Sequence, residues 1–379
     1  MSKKNVFLIR NVWPQMYGGG ETYQLELAKQ LKKHGFNPII VSSSIRLIDE
    51  ARKVGYLAIM APFLTKQNYS GWKNVFLPVY YFKILNLRGW YKKIFMKYRP
   101  SVINVQSRDE WLAATRAAKK MGIRVLWTDH MDFRSWVLKN VNVWYKGWIG
   151  KWVLKCARLA DTIITISDYE RKWLEKTTSN RSLKNVITIK NGVLDEFGKY
   201  EKIQPKKHSF CYVGRVVDYK GVGDLINAFK MVRAENTDAS LNIYGDGDID
   251  EFGAFATNGV SFYGYTDAPL RAIAENDVFV LPSHREGLSL SLLDAAMMGK
   301  KIIVSDVGGN PEVIKNMETG LSVPAKNELR LAEAMTWMLD NPMEAEKMAK
   351  KVRKFYEENY DLTKIFEEKM LPLYNEEKE

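Results

Sequence analysis

A chain of 379 residues, 46% hydrophobic and 27% charged, has ordinary globular proportions and exceeds what a single core sustains, so two domains are expected. No stretch stays apolar for the roughly 18 residues of a membrane span, and the opening segment lacks the long apolar run and small-residue cleavage site of a secretory leader. Two cysteines far apart and four histidines make neither a disulfide framework nor a zinc spacing, which fits a reducing cytoplasm.

The charge is unevenly placed. Residues 1–200 carry 35 Lys and Arg against 14 Asp and Glu, a net of +21, while the remainder has a net of −8. A basic half joined to an acidic one points the first toward a polyanionic surface.

NVFLI (Asn5–Ile9) is a short apolar run ending in turn residues and predicts a buried parallel strand. After a glycine-rich loop, ETYQLELAKQLKKHG has Leu25, Leu27, Ala28 and Leu31 at helical spacing and Gly35 as its stop. NPIIVSS, SVINVQ, IRVLWT and TIITIS repeat the strand character between helical stretches. This alternation argues for a parallel sheet with helices on both faces. Polar, charged FGKYEKIQPKKHS (Phe197–Ser209) interrupts it, and the pattern restarts: SFCYVGR, ASLNIYG, VSFYG, DVFVLPS and KIIVSD as strands, GVGDLINAFKMVRAE and ELRLAEAMTWML as helices. The expected organisation is α/β, with an N-terminal domain over 1–196, a linker over 197–208 and a second domain over 209–354. Terminal helices over 355–379 are expected to pack back on the first domain.

The chemistry-bearing residues cluster after the second domain's strands. In YVGRVVDYKG (Tyr212–Gly221) a strand ends at Gly214, and Arg215 and Lys220 follow at the carboxyl end, where parallel sheets bind ligands. Two cations aimed at one place suit a diphosphate, although an isolated pair of this kind is more often a solvated surface. PSHREGLSLSLLDAAMMG (Pro282–Gly299) follows the strand DVFVL. Glu286 and Gly287 fall in its loop, and SLSLLDAAMMG, from Ser289, is expected to be a helix whose N-terminal N–H groups suit a phosphate or a sugar hydroxyl, beside Leu288. Asp294 sits inside an apolar run, which counts against simple solvation. Asp246-Gly247-Asp248 spells the acidic metal–nucleotide motif of another transferase fold, but it follows a strand and reads better as a turn.

Taken together, YVGRVVDYKG, LNIYGDG, VSFYGY, VFVLPSHREGLSLSLLDAAMMGK and VSDVGGNPEVI resemble the donor-binding domain of the retaining GT-B glycosyltransferases, family 4, over residues 209–314. The resemblance implies two Rossmann-like domains facing each other across a cleft. It also implies transfer of a sugar from a nucleoside-diphosphate donor to an acceptor hydroxyl, with no cofactor and no metal. It assigns Glu286 to the donor sugar, Asp294 to the ribose hydroxyls, and Arg215 and Lys220 to the diphosphate, with Gly287, Leu288 and Ser289 alongside. Asp294 stands where the family has Glu, one methylene shorter and of the same charge. The first half matches less closely. MYGGGET (Met16–Thr22) resembles the family's glycine loop, which sets Gly18, Gly19 and Gly20 near diphosphate and acceptor. WTDHMD (Trp127–Asp132) resembles a Thr-x-His-Asp segment, with Met131 intervening, and makes His130 a candidate at the donor sugar or reaction centre. Ser167 and Arg171 are weaker candidates in ITISDYER.

Competing readings lack support in the motifs. A 2-epimerase shares the two-domain shape, but the motif order and the Glu286/Asp294 pair favour transfer. A dehydrogenase needs a different glycine pattern after its first strand, and a nucleic-acid binder leaves the donor-like segment unexplained. A catalytically silent scaffold is separated from an enzyme only by turnover. From Ala51 to Arg108 there is no acidic residue, but eleven Lys and Arg and twelve aromatics, and a second acid-free stretch begins at Phe133. Such interleaving suits an anionic membrane interface. The expectation is a cytoplasmic protein held peripherally at the inner membrane face, with a lipid-linked sugar or growing surface polysaccharide as acceptor.

Overall fold

A computed structural model describes residues 3–62, 77–130, 148–178, 183, 185–254 and 258–375. The chain forms two compact units. One comprises Met1–Ile166, Glu170–Ile189 and Phe366–Glu379, the other Ser167–Tyr169 and Lys190–Ile365.

The first unit is built on seven parallel strands: β1 (Asn5–Arg10), β2 (Asn37–Ser42), β3 (Leu57–Met60), β4 (Val102–Val105), β5 (Arg124–Asp129), β6 (Thr162–Thr165) and β7 (Val186–Thr188), in the order β3-β2-β1-β4-β5-β6-β7. Val6 to Ile9 are fully buried, as a strand covered on both faces requires. The crossover helix Gly19–Lys33 buries Tyr23, Leu27, Ala28 and Leu31. Helix Ile45–Lys53 starts where the Ser44 hydroxyl accepts from the Leu47 N–H. On the far side of the sheet, Trp111 stacks on Trp127 at 4.9 Å, and their indole N–H groups donate to the Val105 carbonyl and the Thr115 hydroxyl. Helix Leu77–Tyr98, from the acid-free stretch, divides its residues. Tyr80, Ile84, Leu87, Tyr91 and Phe95 enter the core, while Val79, Tyr81, Phe82, Lys92, Lys93, Met96 and Lys97 are exposed.

The second unit repeats the plan with β8 (Lys206–Val213), β9 (Ser240–Tyr244), β10 (Val260–Gly264), β11 (Asn276–Leu281), β12 (Lys301–Ser305) and β13 (Leu321–Val323), in the order β10-β9-β8-β11-β12-β13. Both orders are Rossmann-like. The chain winds outward one way from the first strand, then restarts on its other side, leaving a crevice at the carboxyl ends where the direction reverses. Here β8 lies beside β11, Phe210 opposite Val278 and Cys211 opposite Phe279.

The segment expected as a linker over 197–208 lies in the second unit. It begins with a single turn at Phe197–Lys199, and β8 starts inside it at Lys206. Of the terminal stretch, residues 355–365 belong to the second unit and those from Phe366 to the first. Val193 explains much of this. Its carbonyl accepts from the Tyr356 hydroxyl at 2.8 Å and the Leu362 N–H at 3.0 Å, its own N–H donates to Tyr360, and Arg353 grips Asp195 at 2.6 Å. In the first unit the Asn104 amide donates to the Tyr374 hydroxyl at 2.8 Å. Cys156 and Cys211 are both buried and free. Among the described residues no helix is long and apolar enough to cross a membrane.

Candidate functional site

The second unit's switch point gathers the motif residues. After β8 the chain passes Gly214 and Arg215, turns through Asp218–Lys220, and enters helix Val222–Glu235 at Gly221. After β11 it runs through Pro282–Ser289 into helix Leu290–Met297. Lys220 Nζ lies 2.6 Å from Glu286 Oε1, joining the two loops across the crevice, and the Ser283 hydroxyl donates to the same oxygen at 2.7 Å. Glu286 is only 5% exposed. A buried carboxylate needs such partners, because an unpaired one carries a large desolvation cost.

Backbone packing fixes the loops. The His284 N–H donates to the Tyr219 carbonyl at 2.9 Å, and Gly309 N–H to the Gly287 carbonyl at 2.7 Å. Gly221, at φ +71°, has no room for a Cβ against the Pro282 carbonyl, and Gly308, at φ +60°, none against the Glu286 carbonyl. The buried Asn191 amide donates to the Leu288 carbonyl at 3.3 Å. Ser289 precedes the helix without capping it, its hydroxyl 3.0 Å from that of Ser291. Asp294 is partly exposed on an otherwise buried stretch of this helix. Tyr356 has its phenol pushed up by burial first, with nearby carboxylates, Asp294 among them, adding to it.

Arg215 is exposed and donates to the Tyr219 hydroxyl. Its guanidinium, the Lys220 ammonium and the Arg285 guanidinium lie 5.6, 5.8 and 4.9 Å from the centre of the Tyr219 ring. The Asp246–Asp248 segment, expected as a turn, instead forms an isolated parallel bridge to the loop after β8: Val216 N–H donates to the Asp246 carbonyl at 2.8 Å and Asp248 N–H to the Val216 carbonyl at 2.7 Å. Both carboxylates are exposed, and a Cβ on Gly247 would collide with Val216.

Gly19, Gly20 and His130 belong to the first unit. The glycine loop is shorter than the sequence suggests, because Gly19 and Gly20 already form the first turn of helix Gly19–Lys33, with Gly18 extended before it. Arg10, at the end of β1, lies beneath. It pairs with Glu21 at 2.6 Å, and a Cβ on Gly20 would run into its guanidinium. His130 follows β5, its ring 5.1 Å from that of Tyr23 in an edge-to-face contact. Its Nε2 is buried with no hydrogen-bond partner among the described residues. Burial, and then the Arg10 charge, hold its pKa well below the ordinary 6.5, so the ring is neutral at pH 7. Met131 and Asp132 lie outside the described residues, as does the second acid-free stretch up to residue 147. Ser167 is fully buried, and Arg171 pairs with Glu175 on an exposed face.

Sequence reasoning passed over Tyr219 and Arg285, although both stand inside the quoted motifs next to Lys220 and Glu286. It also passed over Arg10, whose signal was a charge closing an apolar strand.

Comparison with known proteins adds to this geometry. A family model described as Glycosyl transferases group 1 matches residues 207–341, and one described as Glycosyltransferase Family 4 matches residues 17–197. A glycogen synthase of Mycobacterium tuberculosis is 30% identical over 190 residues, 47% of this chain and 46% of that protein. The match thus spans about half the length of that relative. The capsular polysaccharide biosynthesis glycosyltransferase CapM of Staphylococcus aureus is 28% identical over 239 residues, 57% of this chain and 62% of CapM. In fold, the chain is similar to Anabaena HepE, solved with UDP-glucose, at a TM-score of 0.77 and 13% identity over 97% of this chain and 99% of HepE.

Proposed function

The chain belongs to family 4 of the glycosyltransferases, and from that premise we propose that it moves a sugar from a nucleoside-diphosphate donor to an acceptor hydroxyl with retention at the anomeric carbon. The observation that carries this reading is the Lys220–Glu286 pair joining β8 and β11 at the switch point, with Arg215 beside it. In this reading Arg215 and Lys220 take the diphosphate and Glu286 a hydroxyl of the donor sugar. The backbone of Gly287, Leu288 and Ser289 lines the donor, and Asp294 addresses the ribose. Gly19 and Gly20 let backbone approach a ligand closely, and neutral His130 serves the donor sugar or reaction centre. The acceptor oxygen bonds to the anomeric carbon on the face the leaving group departs from. The carbon–oxygen bond to the β-phosphate breaks, and the leaving phosphate oxygen takes the acceptor proton. Cations held in place before the reaction stabilise the charge that develops. In this reading no metal enters, since Gly247 between Asp246 and Asp248 is bridged to Val216, and activity is expected to persist in EDTA.

The relative in capsular polysaccharide synthesis supports a glycan or lipid-linked acceptor, and the neighbour solved with UDP-glucose a nucleotide-sugar donor. We assign the outer face of helix Leu77–Tyr98 to an anionic membrane. Phe82 is 64% exposed at its amino end, Lys92, Lys93 and Lys97 line its carboxyl end, and Trp148 is 80% exposed on another helix. The protein is then peripheral at the cytoplasmic membrane face. Glu286→Gln tests the core of the proposal. It keeps shape but removes the charge that Lys220 balances, so turnover of the donor is expected to fall at least about 100-fold in a protein that still folds. The linkage formed by the wild type, read by NMR, is expected to keep the donor's anomeric configuration. Near-normal turnover in folded Glu286→Gln removes Glu286 from the site.

A further inference from the structure

Tyr219 gathers three cations from two loops. Arg215 and Lys220 come from the segment after β8, and Arg285 from the loop after β11, nearest of the three to the ring centre at 4.9 Å. Two nearby carboxylates are otherwise engaged. Glu286 is held by Lys220 and Ser283, and Asp224 by His284 at 2.8 Å. Among the described residues neither Arg215 nor Arg285 has a carboxylate partner. Two uncompensated guanidiniums converging on one ring repel each other, and the ring's attraction for each is modest. A bound polyanion removes that repulsion.

We propose that Arg285 is the third cation of the diphosphate clamp and that Tyr219 is the positioning residue that aims it, together with Arg215, at the phosphates. This deepens, and rests on, the donor-site reading above. The chemistry favours three cations over two. When the anomeric carbon–oxygen bond breaks, the electron pair stays on the β-phosphate, so negative charge builds up on the leaving oxygen before the acceptor proton reaches it. A guanidinium beside the loop of Glu286 meets that added charge, and planar Arg presents paired N–H groups to phosphate oxygens. Arg285 therefore favours the product-like state over the intact donor, and its loss is expected to lower kcat more than it raises KM for the donor.

Calorimetry with UDP, GDP and ADP, their monophosphates and their nucleosides tests the clamp, on wild type, Arg285→Gln, Arg285→Lys, Tyr219→Phe and Arg215→Ala. For whichever diphosphate the wild type binds, Arg285→Gln is expected to weaken affinity about tenfold or more. Its effect on the nucleoside is expected to be negligible. Arg285→Lys is expected to recover part of the loss. Tyr219→Phe, which keeps the ring and loses the hydroxyl that Arg215 holds, is expected to weaken the diphosphate less than Arg285→Gln does. If Arg285→Gln binds the diphosphate like wild type while Arg215→Ala does not, Arg285 is no part of the clamp and the donor site stands. If both bind like wild type, or if the wild type binds none of the three diphosphates, the donor-site reading falls with it.

Discussion

His130 shows how one buried side chain couples the stability of the first unit to solution conditions. The unfolded chain takes up a proton near the ordinary pKa of 6.5, but the folded ring resists it because of burial and then Arg10. Above 6.5 both states are neutral and His130 makes no pH-dependent contribution. Below it, the unfolded state binds the extra proton, and stability falls with pH until the folded value is reached. The slope from this one group is at most about 1.4 kcal/mol per pH unit. Urea unfolding at pH 7 and pH 5 is expected to show a smaller loss for His130→Gln than for wild type, and equal losses would mean that the ring is solvated. The sequence named His130 from a segment resembling Thr-x-His-Asp, but not its environment. Arg10 and Tyr23 reach it from β1 and the first helix, a proximity only the fold creates. The Lys220–Glu286 pair was likewise beyond spacing arguments, since 66 residues separate its members.

Among the elements, the loops at the switch point depend on glycines. Gly308 combines φ +60° with a Cβ direction blocked by the Glu286 carbonyl, whereas a Cβ on Gly253 meets nothing within 4 Å. Gly308→Ala is expected to destabilise the second unit by roughly 1–3 kcal/mol and to impair donor turnover by displacing the Glu286 backbone. Gly253→Ala is expected to do neither. Denaturant midpoints and initial rates check both, and an unshifted Gly308→Ala midpoint would mean that the two loops are not packed as described. The strands legible in the sequence were the long apolar ones near the sheet centres, β1, β5, β8 and β11 among them. The unread β3, β7 and β13 all lie at sheet edges, are three or four residues long, and none is buried along its whole length. An edge strand has too few covered residues to leave an apolar run. The glycine triplet read as a loop because glycine disfavours helix, yet Gly19 and Gly20 are helical over the buried Arg10–Glu21 pair.

For the molecule as a whole, the asymmetry of charge was plain from composition, and the fold sorts the acid-free stretch into core aromatics and an exposed cationic face. Unit boundaries were less legible, because what joins 193–195 to the terminal helices is hydrogen bonding to Val193 and Asp195 rather than any change in composition. The protein is expected to co-sediment with phosphatidylglycerol vesicles at low salt, less so at high salt as screening shortens each charge's reach, and not with neutral vesicles. Reversing Lys92, Lys93 and Lys97 to Glu is expected to reduce vesicle binding and leave nucleotide affinity unchanged, since Arg215, Lys220 and Asp294, the side chains proposed to hold the nucleotide, lie in the other unit. Wild type remaining in the supernatant at low salt would redirect the basic face to an acidic soluble glycan. The central claim, a nucleotide-sugar site at the β8/β11 switch point, is tested most directly by thermal shift against UDP-, GDP- and ADP-sugars. At about 100 times the dissociation constant a ligand stabilises by roughly 2.7 kcal/mol, so at least one donor is expected to raise the wild-type Tm by several degrees, and Lys220→Ala is expected to abolish most of that rise. No shift with any donor, or an equal shift in folded Lys220→Ala, would contradict the claim.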